Sequence, residues 1–277
     1  AARAALGRGR KHGRRQLLSK LYKASARTKG NFVRAFSCTR VHFRAPCDKM
    51  HPYFNPKEAA LMRYQCLVLD HDDTVVNSTA TIHHPCFVEY TKTRYPGKEC
   101  TLEQYFLKNF EPGFLEFCRD EYGMSDADML DETEYWRAYV ENHIPAAYPG
   151  IKEIMTRHKA EGGLICVVSH SFARNIYRDY EANGLPVPDA VYGWERPAEE
   201  RKPSPFPLED IMRRFSLTPD ELLMIDDLKP GYDMAAKCGV AFAAVGWSSD
   251  IPQIERFMRA NCPNYFKTVA QLDEFLK

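Results

Sequence analysis

Four short apolar runs limit the fold more than anything else in this sequence: "CLVLD" at 66–70, "LICVVS" at 164–169, "LLMID" at 222–226 and "VAFAAVG" at 240–246. None alternates apolar with polar residues, so each suits burial on both faces, the pattern of strands in a parallel sheet covered by helices. "AVYGW" at 190–194 is a weaker fifth run. Helical spacing lies between them. Ile151, Ile154, Met155 and His158 recur on one face before Gly162 and Gly163 stop the run, Phe206, Ile211, Met212 and Phe215 do likewise, and Val269, Leu272, Phe275 and Leu276 close the chain. Thr218, Pro219, Asp220 and Glu221 have the form of a capping box just before the third strong run. The sequence therefore predicts an α/β fold, a doubly wound, Rossmann-like parallel sheet.

Between the first and second strong runs lie about 90 residues without a strand signal, whereas a parallel crossover needs only a dozen or so. Helices are predicted at 85–93, 101–109, 112–122 and 129–143, broken by "RYPGKE" and "YGMSDAD". The surplus reads as an inserted all-helical cap. The expected division is a basic, disordered extension at 1–60, a core at 61–78 and 146–277, and the cap at 79–145.

Charge separates the extension from the rest. Thirteen of the 38 Lys and Arg precede Asp48, the first acidic residue, which leaves 25 basic against all 37 acidic residues afterwards. An Arg-rich, acid-free head fits an organelle transit peptide, a tail that contacts nucleic acid through phosphates, or upstream sequence with no part in the working protein. It lacks the apolar periodicity to offset its ordering entropy, apart from a short helix near 16–26. No apolar run approaches the roughly 18 residues that span a bilayer. The nine cysteines form no CxxC pair, so neither a disulfide framework nor a zinc site is expected, and a reducing, cytoplasmic setting is.

The ends of parallel strands are where open α/β sheets bind ligands. Asp70 and Asp72 follow the first run, Ser169 the second, and Asp226 with Asp227 the third, while Lys202 lies in the Pro-rich loop "RKPSP". Converging carboxylates repel unless a cation is shared, and an all-oxygen set with room for water and phosphate suits Mg²⁺. A lysine and a serine hydroxyl can hold phosphoryl oxygens. One carboxylate can attack phosphorus while its neighbour protonates the leaving oxygen. The two are expected to titrate as a coupled pair, the cation favouring ionised Asp70 and the nearby negative charge making Asp72 the costlier to ionise. His71 should point away from them, for packing or a local hydrogen bond, and His83 with His84, at the entry to the insert, are candidates for substrate contact.

These segments resemble the four motifs of the haloacid dehalogenase superfamily of phosphohydrolases. "DHDDTV" is similar to its first motif, the apolar run ending in Ser169 to its second, "RKPSP" to its third and "LLMIDD" to its fourth, while "YPGIKEIM" resembles the return from a helical cap. The resemblance covers roughly 64–277. It implies Asp70 as nucleophile, Asp72 as general acid and then base, Thr74 as support for the loop, and Ser169 and Lys202 as phosphate ligands. It also implies a Mg²⁺ site of Asp70, Asp227, Asp226 and Asp72, the last through its backbone carbonyl. The implied activity is hydrolysis of a small phosphorylated metabolite through an aspartyl-phosphate.

A phosphosugar mutase of the beta-phosphoglucomutase type shares every one of these motifs and stays open as an alternative. Another is a basic-tailed nucleic-acid binder on an inactive phosphatase fold, which the intact motifs argue against.

Overall fold

The structure is a computed structural model that describes residues 62–277. The readings of the basic head, its targeting, nucleic-acid contact, disorder and short helix, lie outside the described residues.

Six parallel strands form one sheet: β1 (Cys66–Leu69), β2 (Leu164–Val168), β3 (Ala190–Tyr192), β4 (Leu222–Asp226), β5 (Ala241–Val245) and β6 (Asn264–Phe266). Their order is β3-β2-β1-β4-β5-β6. β1 is central, with Leu69 in register with Val167 on one side and Ile225 on the other. The two directions of growth diverge from β1, so the carboxyl ends of β1, β2 and β4 flank one crevice.

Alternation along the strands divides the core. Cys66, Val68, Cys166, Val168, Leu222 and Met224 face one side, packed with residues of α7 (Phe206–Phe215), α8 (Lys229–Cys238) and α9 (Pro252–Asn261). Leu67, Leu69, Ile165, Val167, Leu223 and Ile225 face the other, against α5 (Ile151–Ala160), α6 (Ala173–Ala182) and α10 (Val269–Phe275). This three-layer arrangement explains why the strands carry no polar alternation.

The long gap after β1 folds as helices: a π turn at Thr79–His83, then α1 (His84–Arg94), α2 (Leu102–Phe110), α3 (Phe114–Tyr122) and α4 (Asp126–Glu141). Thr101 and Ser125 start α2 and α4 with reciprocal capping boxes. Aromatic residues, among them Phe87, Tyr90, Tyr105, Phe117 and Tyr122, give this insert its own core.

The insert leaves and rejoins the core side by side. Val76 pairs antiparallel with Ala147, Asn77 N donates to Ala146 O, and Tyr148 N to Val75 O. Arg178 on α6 holds the end of α4, donating to the carbonyls of Val140, Glu141 and His143. Its neighbour Asp179 meets His71 Nε2 at 3.1 Å, the buried local bond expected of that histidine. Among the described residues, no helix is long and apolar enough to cross a membrane, and the seven described cysteines are free.

Candidate active site

β1 ends in Asp70, only 3% exposed, its N–H bonded to Ile225 O. The chain then turns tightly. Val75 N and Val76 N both donate to His71 O, and Asp73 takes a left-handed φ of 60°. A short polar side chain tolerates that region better than a branched one. Asp73 Oδ1 accepts from Thr79 N, and burial pushes its carboxyl up to about 6. Thr74 is enclosed in this turn, and among the described residues its hydroxyl has no hydrogen-bond partner.

β4 brings Asp226 and Asp227 to the same place. Suitable carboxylate oxygens of Asp70, Asp226 and Asp227 lie within 4.8 Å of one another. Lys202 is buried among them, its Nζ 2.8 Å from Asp70 Oδ1 and 2.7 Å from Asp226 Oδ2. The other oxygen of Asp226 accepts from Leu228 N, whereas Asp227 Oδ1 is enclosed without a partner. Burial raises Asp70 to about 7, opposed by Lys202 and aided by Asp226 and Asp72. Asp227 is driven well above the carboxylate range by burial and then by Asp73, Asp226 and Asp70. One lysine does not balance three buried carboxylates. An orphaned oxygen on a member of this set fits a small hard cation, because no described residue satisfies it.

Asp72 points elsewhere. Its Oδ1 accepts from Ser78 Oγ at 2.7 Å and His83 Nε2 at 3.0 Å, and its Oδ2 from Ser171 Oγ at 2.6 Å, with Ser169 Oγ at 3.4 Å. Burial alone would raise its pKa, but the His83 ring and the Ser171 hydroxyl outweigh it and hold Asp72 far below the usual range. Without a cation, then, Asp70 is the costlier of the two to ionise, whereas the expectation for the pair has a cation favouring the charged form of Asp70. Neighbouring negative charge does act, but on Asp70, while donors from three segments keep Asp72 ionised. Its carboxylate stands outside the three-carboxylate cluster; the resemblance assigns the metal contact of Asp72 to its backbone carbonyl.

His83 owes its place to the π turn, in which His83 N reaches back to Ser78 O. Its other ring nitrogen, Nδ1, accepts from Trp136 Nε1 on α4 at 3.0 Å. Burial disfavours a proton on His83 and Asp72 favours one, the net direction being up. The indole N–H, however, requires a lone pair on Nδ1, so the neutral Nε2–H tautomer satisfies both partners. Of the two candidate histidines, His83 thus reaches a site carboxylate, while His84 turns to Cys100 O.

Ser169 Oγ also accepts from Ser171 N, fixing the turn after β2. Between the two serines, His170 Nε2 meets Lys202 O at 2.9 Å, and its pKa is pushed down to about 3 by burial and then by Lys202. A neutral ring donating to that carbonyl helps position the lysine. The sequence reading singled out Asp70, Asp72, Ser169, Lys202, Asp226 and Asp227, and the structure brings them to one crevice. Ser78, Ser171, His170 and Trp136 were missed. The "SHS" after the second run was the one readable signal among them.

The doubly wound sheet thus gathers carboxylates and a lysine at its carboxyl edge, the place where open α/β folds bind ligands. The chain belongs to the haloacid dehalogenase-like hydrolases, whose family model matches residues 67–245. A curated phosphoglycolate phosphatase of Haemophilus influenzae (strain 86-028NP) is 24% identical over 206 residues, covering 70% of this chain and 91% of its own. A haloacid dehalogenase-like hydrolase of Bacteroides fragilis shares the fold at a TM-score of 0.64 and 23% identity, covering 76% of this chain and 99% of its own. CbbY of Rhodobacter sphaeroides, crystallised with phosphate, does so at 0.59 and 21%, covering 76% and 96%.

Proposed function

We propose that the enzyme is a Mg²⁺-dependent phosphomonoesterase that hydrolyses a small phosphorylated metabolite through an aspartyl-phosphate on Asp70. The observation that carries this reading is the buried trio Asp70, Asp226 and Asp227, with Lys202 bound into it and Asp227 Oδ1 left without a partner. The curated relatives named as phosphoglycolate phosphatases support it.

Asp70, Asp226 and Asp227 would hold Mg²⁺, which when bound neutralises carboxylate and phosphoryl charge. The chain's own groups do the rest. Lys202 and the hydroxyl of Ser169 hold phosphoryl oxygens. An oxygen of Asp70 forms a bond to phosphorus as the bond to the leaving alcohol breaks, and Asp72 gives that alcohol its proton. For this Asp72 must first become protonated, and the negative charge of an arriving phosphate, which also competes for the serine hydroxyls, acts in that direction. Once ionised again, Asp72 takes a proton from the water that releases phosphate from Asp70. The helical insert, joined beside the crevice, acts as the cap that excludes bulk water.

The test is chemical trapping. Brief reaction of the Asp72→Asn enzyme with ³²P-labelled p-nitrophenyl phosphate, whose leaving group needs no proton from Asp72, and Mg²⁺, followed by acid quench, should leave label on Asp70 that hydroxylamine removes. Asp70→Asn should take no label and lose turnover by about 10³-fold or more while remaining folded. Label on another residue, or turnover that persists in chelator, would overturn the assignment.

A further inference from the structure

Asp72 uses its two oxygens unequally. Oδ1 accepts from Ser78 Oγ at 2.7 Å and from His83 Nε2 at 3.0 Å, so two donors meet its two lone pairs. Oδ2 accepts from Ser171 Oγ at 2.6 Å and has Ser169 Oγ only at 3.4 Å, and an arriving phosphate claims the Ser169 hydroxyl. The oxygen with room for a proton, on the phosphate side of the carboxylate, is Oδ2.

Ser78 alone does not keep the proton there. A hydroxyl can turn its hydrogen away and accept from a protonated Oδ1. A ring nitrogen has no such freedom. If Nε2 of His83 carries hydrogen, Oδ1 stays an acceptor; if Nε2 carries a lone pair, it draws the Asp72 proton onto Oδ1, away from the oxygen beside Ser169. Trp136 decides between these states. Its Nε1–H donates to His83 Nδ1 at 3.0 Å, and an indole N–H only donates, so Nδ1 keeps its lone pair and the hydrogen of the neutral ring goes to Nε2. The indole is fixed from both sides, its centroid 5.9 Å from the His83 ring and 5.7 Å from that of Phe172, the residue after Ser171. Arg174 and Arg178 of α6 hold the end of α4, through the Glu141 carboxylate and the carbonyls of Val140 and Glu141. One residue of the insert thus reaches both surroundings of Asp72, the donor to Oδ1 directly and the donor to Oδ2 through the next residue in the chain.

We propose that Trp136 is a positioning residue that fixes His83 as a donor and thereby directs the transferable proton of Asp72 to Oδ2. This rests on the phosphomonoesterase reading and adds to it which oxygen works and what selects it. As the bond between phosphorus and the leaving oxygen breaks, its electron pair stays on that oxygen, which takes the proton from Oδ2. Asp72 is left a carboxylate with His83 still donating to Oδ1, and Oδ2 then takes a proton from the attacking water.

Two measurements on the full chain test this. The first is ¹⁵N NMR of histidine-labelled protein near neutral pH without substrate, with the His83 signals identified by their loss in His83→Gln. The wild type should show hydrogen on Nε2 and none on Nδ1. Trp136→Phe keeps a ring against His83 and Phe172 and removes the donor, so its His83 should show hydrogen on Nδ1 or a mixture of the two tautomers. The second is kcat/KM with Mg²⁺, which reports the steps up to loss of the alcohol. Trp136→Phe should lower it for the alkyl substrates phosphoglycolate and propyl phosphate by about 10-fold or more relative to its effect on p-nitrophenyl phosphate, whose leaving group needs no proton. A packing role alone lowers both kinds of substrate alike. Hydrogen on Nδ1 or on both nitrogens in the wild type would overturn the proposal even where the variant fails to fold. So would an unchanged tautomer in Trp136→Phe, or equal losses for alkyl and aryl substrates. Failure of the wild type to hydrolyse any phosphomonoester would instead remove the phosphatase reading, and this inference with it.

Discussion

Asp72 is held by side chains that the sequence places far apart, and its chemistry depends on them. Ser78, His83 and Ser171 donate to it, and Trp136, 53 positions beyond His83, fixes the tautomer of the histidine. Losing His83 removes a donor that favours the ionised form, so His83→Ala should raise the pKa of Asp72, by about one unit or more. Release of phosphate from Asp70 needs ionised Asp72, so the acid limb of that step should move to higher pH. Single-turnover decay of the labelled intermediate, followed from neutral pH down past the ordinary carboxylate range, measures it, and an unmoved limb would mean that His83 does not tune Asp72. Residues at the ends of apolar runs were legible because a strand edge announces them. Trp136 was not, because its partner is set by how α4 packs on the π turn, which local periodicity does not encode. The same limit hid the donors to Asp72, which come from segments that local spacing does not connect.

At the scale of elements, the approach of α8 to β4 is the tightest constraint on the site. A Cβ added at Gly231 would lie 2.1 Å from Asp226 Oδ2, the oxygen that Lys202 binds. Gly231→Ala must push the first turn of α8 outward or rotate Asp226 away from the lysine. We expect turnover to fall by more than about 10-fold, a higher Mg²⁺ requirement, and a stability loss of about 1–3 kcal/mol by urea unfolding. Gly239→Ala, at φ +67° with open space around it, should cost about 1 kcal/mol and leave turnover alone. Equal activity losses in the two variants would show that close approach at Gly231 is not what matters. The strands β1, β2, β4 and β5 and the helices of the insert were readable from apolar runs and helical spacing, with ends shifted by up to three residues. β6 was not: its three residues, Asn264–Phe266, are only half-buried at the sheet edge, and so brief a segment has no periodicity to read.

For the whole molecule, the carboxylate cluster links stability to pH and to the cation. Asp70, Asp226 and Asp227 all have pKa values raised by folding, chiefly by burial. A carboxyl of raised pKa binds its proton more tightly in the native state, so through the window from about 4, the unfolded value, to about 7 for Asp70 the native chain holds more protons. Within that window these groups make the metal-free enzyme less stable as pH rises. A bound cation needs the same carboxylates ionised, so protons compete with it most at the acid end of this window and progressively less as pH rises. The gain in Tm on adding saturating Mg²⁺ should therefore be larger at pH 8 than at pH 5. At about 100 times its Kd, a ligand that binds only the native state adds about 2.7 kcal/mol, or roughly 5–10 °C for a domain of this size. Asp227→Asn sharpens the test, since it removes the carboxylate whose oxygen lacks a partner. Without metal at pH 8 the variant should melt above the wild type, because a buried like charge is gone, while its response to Mg²⁺ and its turnover collapse. A variant that melts below wild type in chelator, or a Mg²⁺ increment that is the same at pH 5 and pH 8, would mean that charge repulsion among these carboxylates does not govern the stability of the fold.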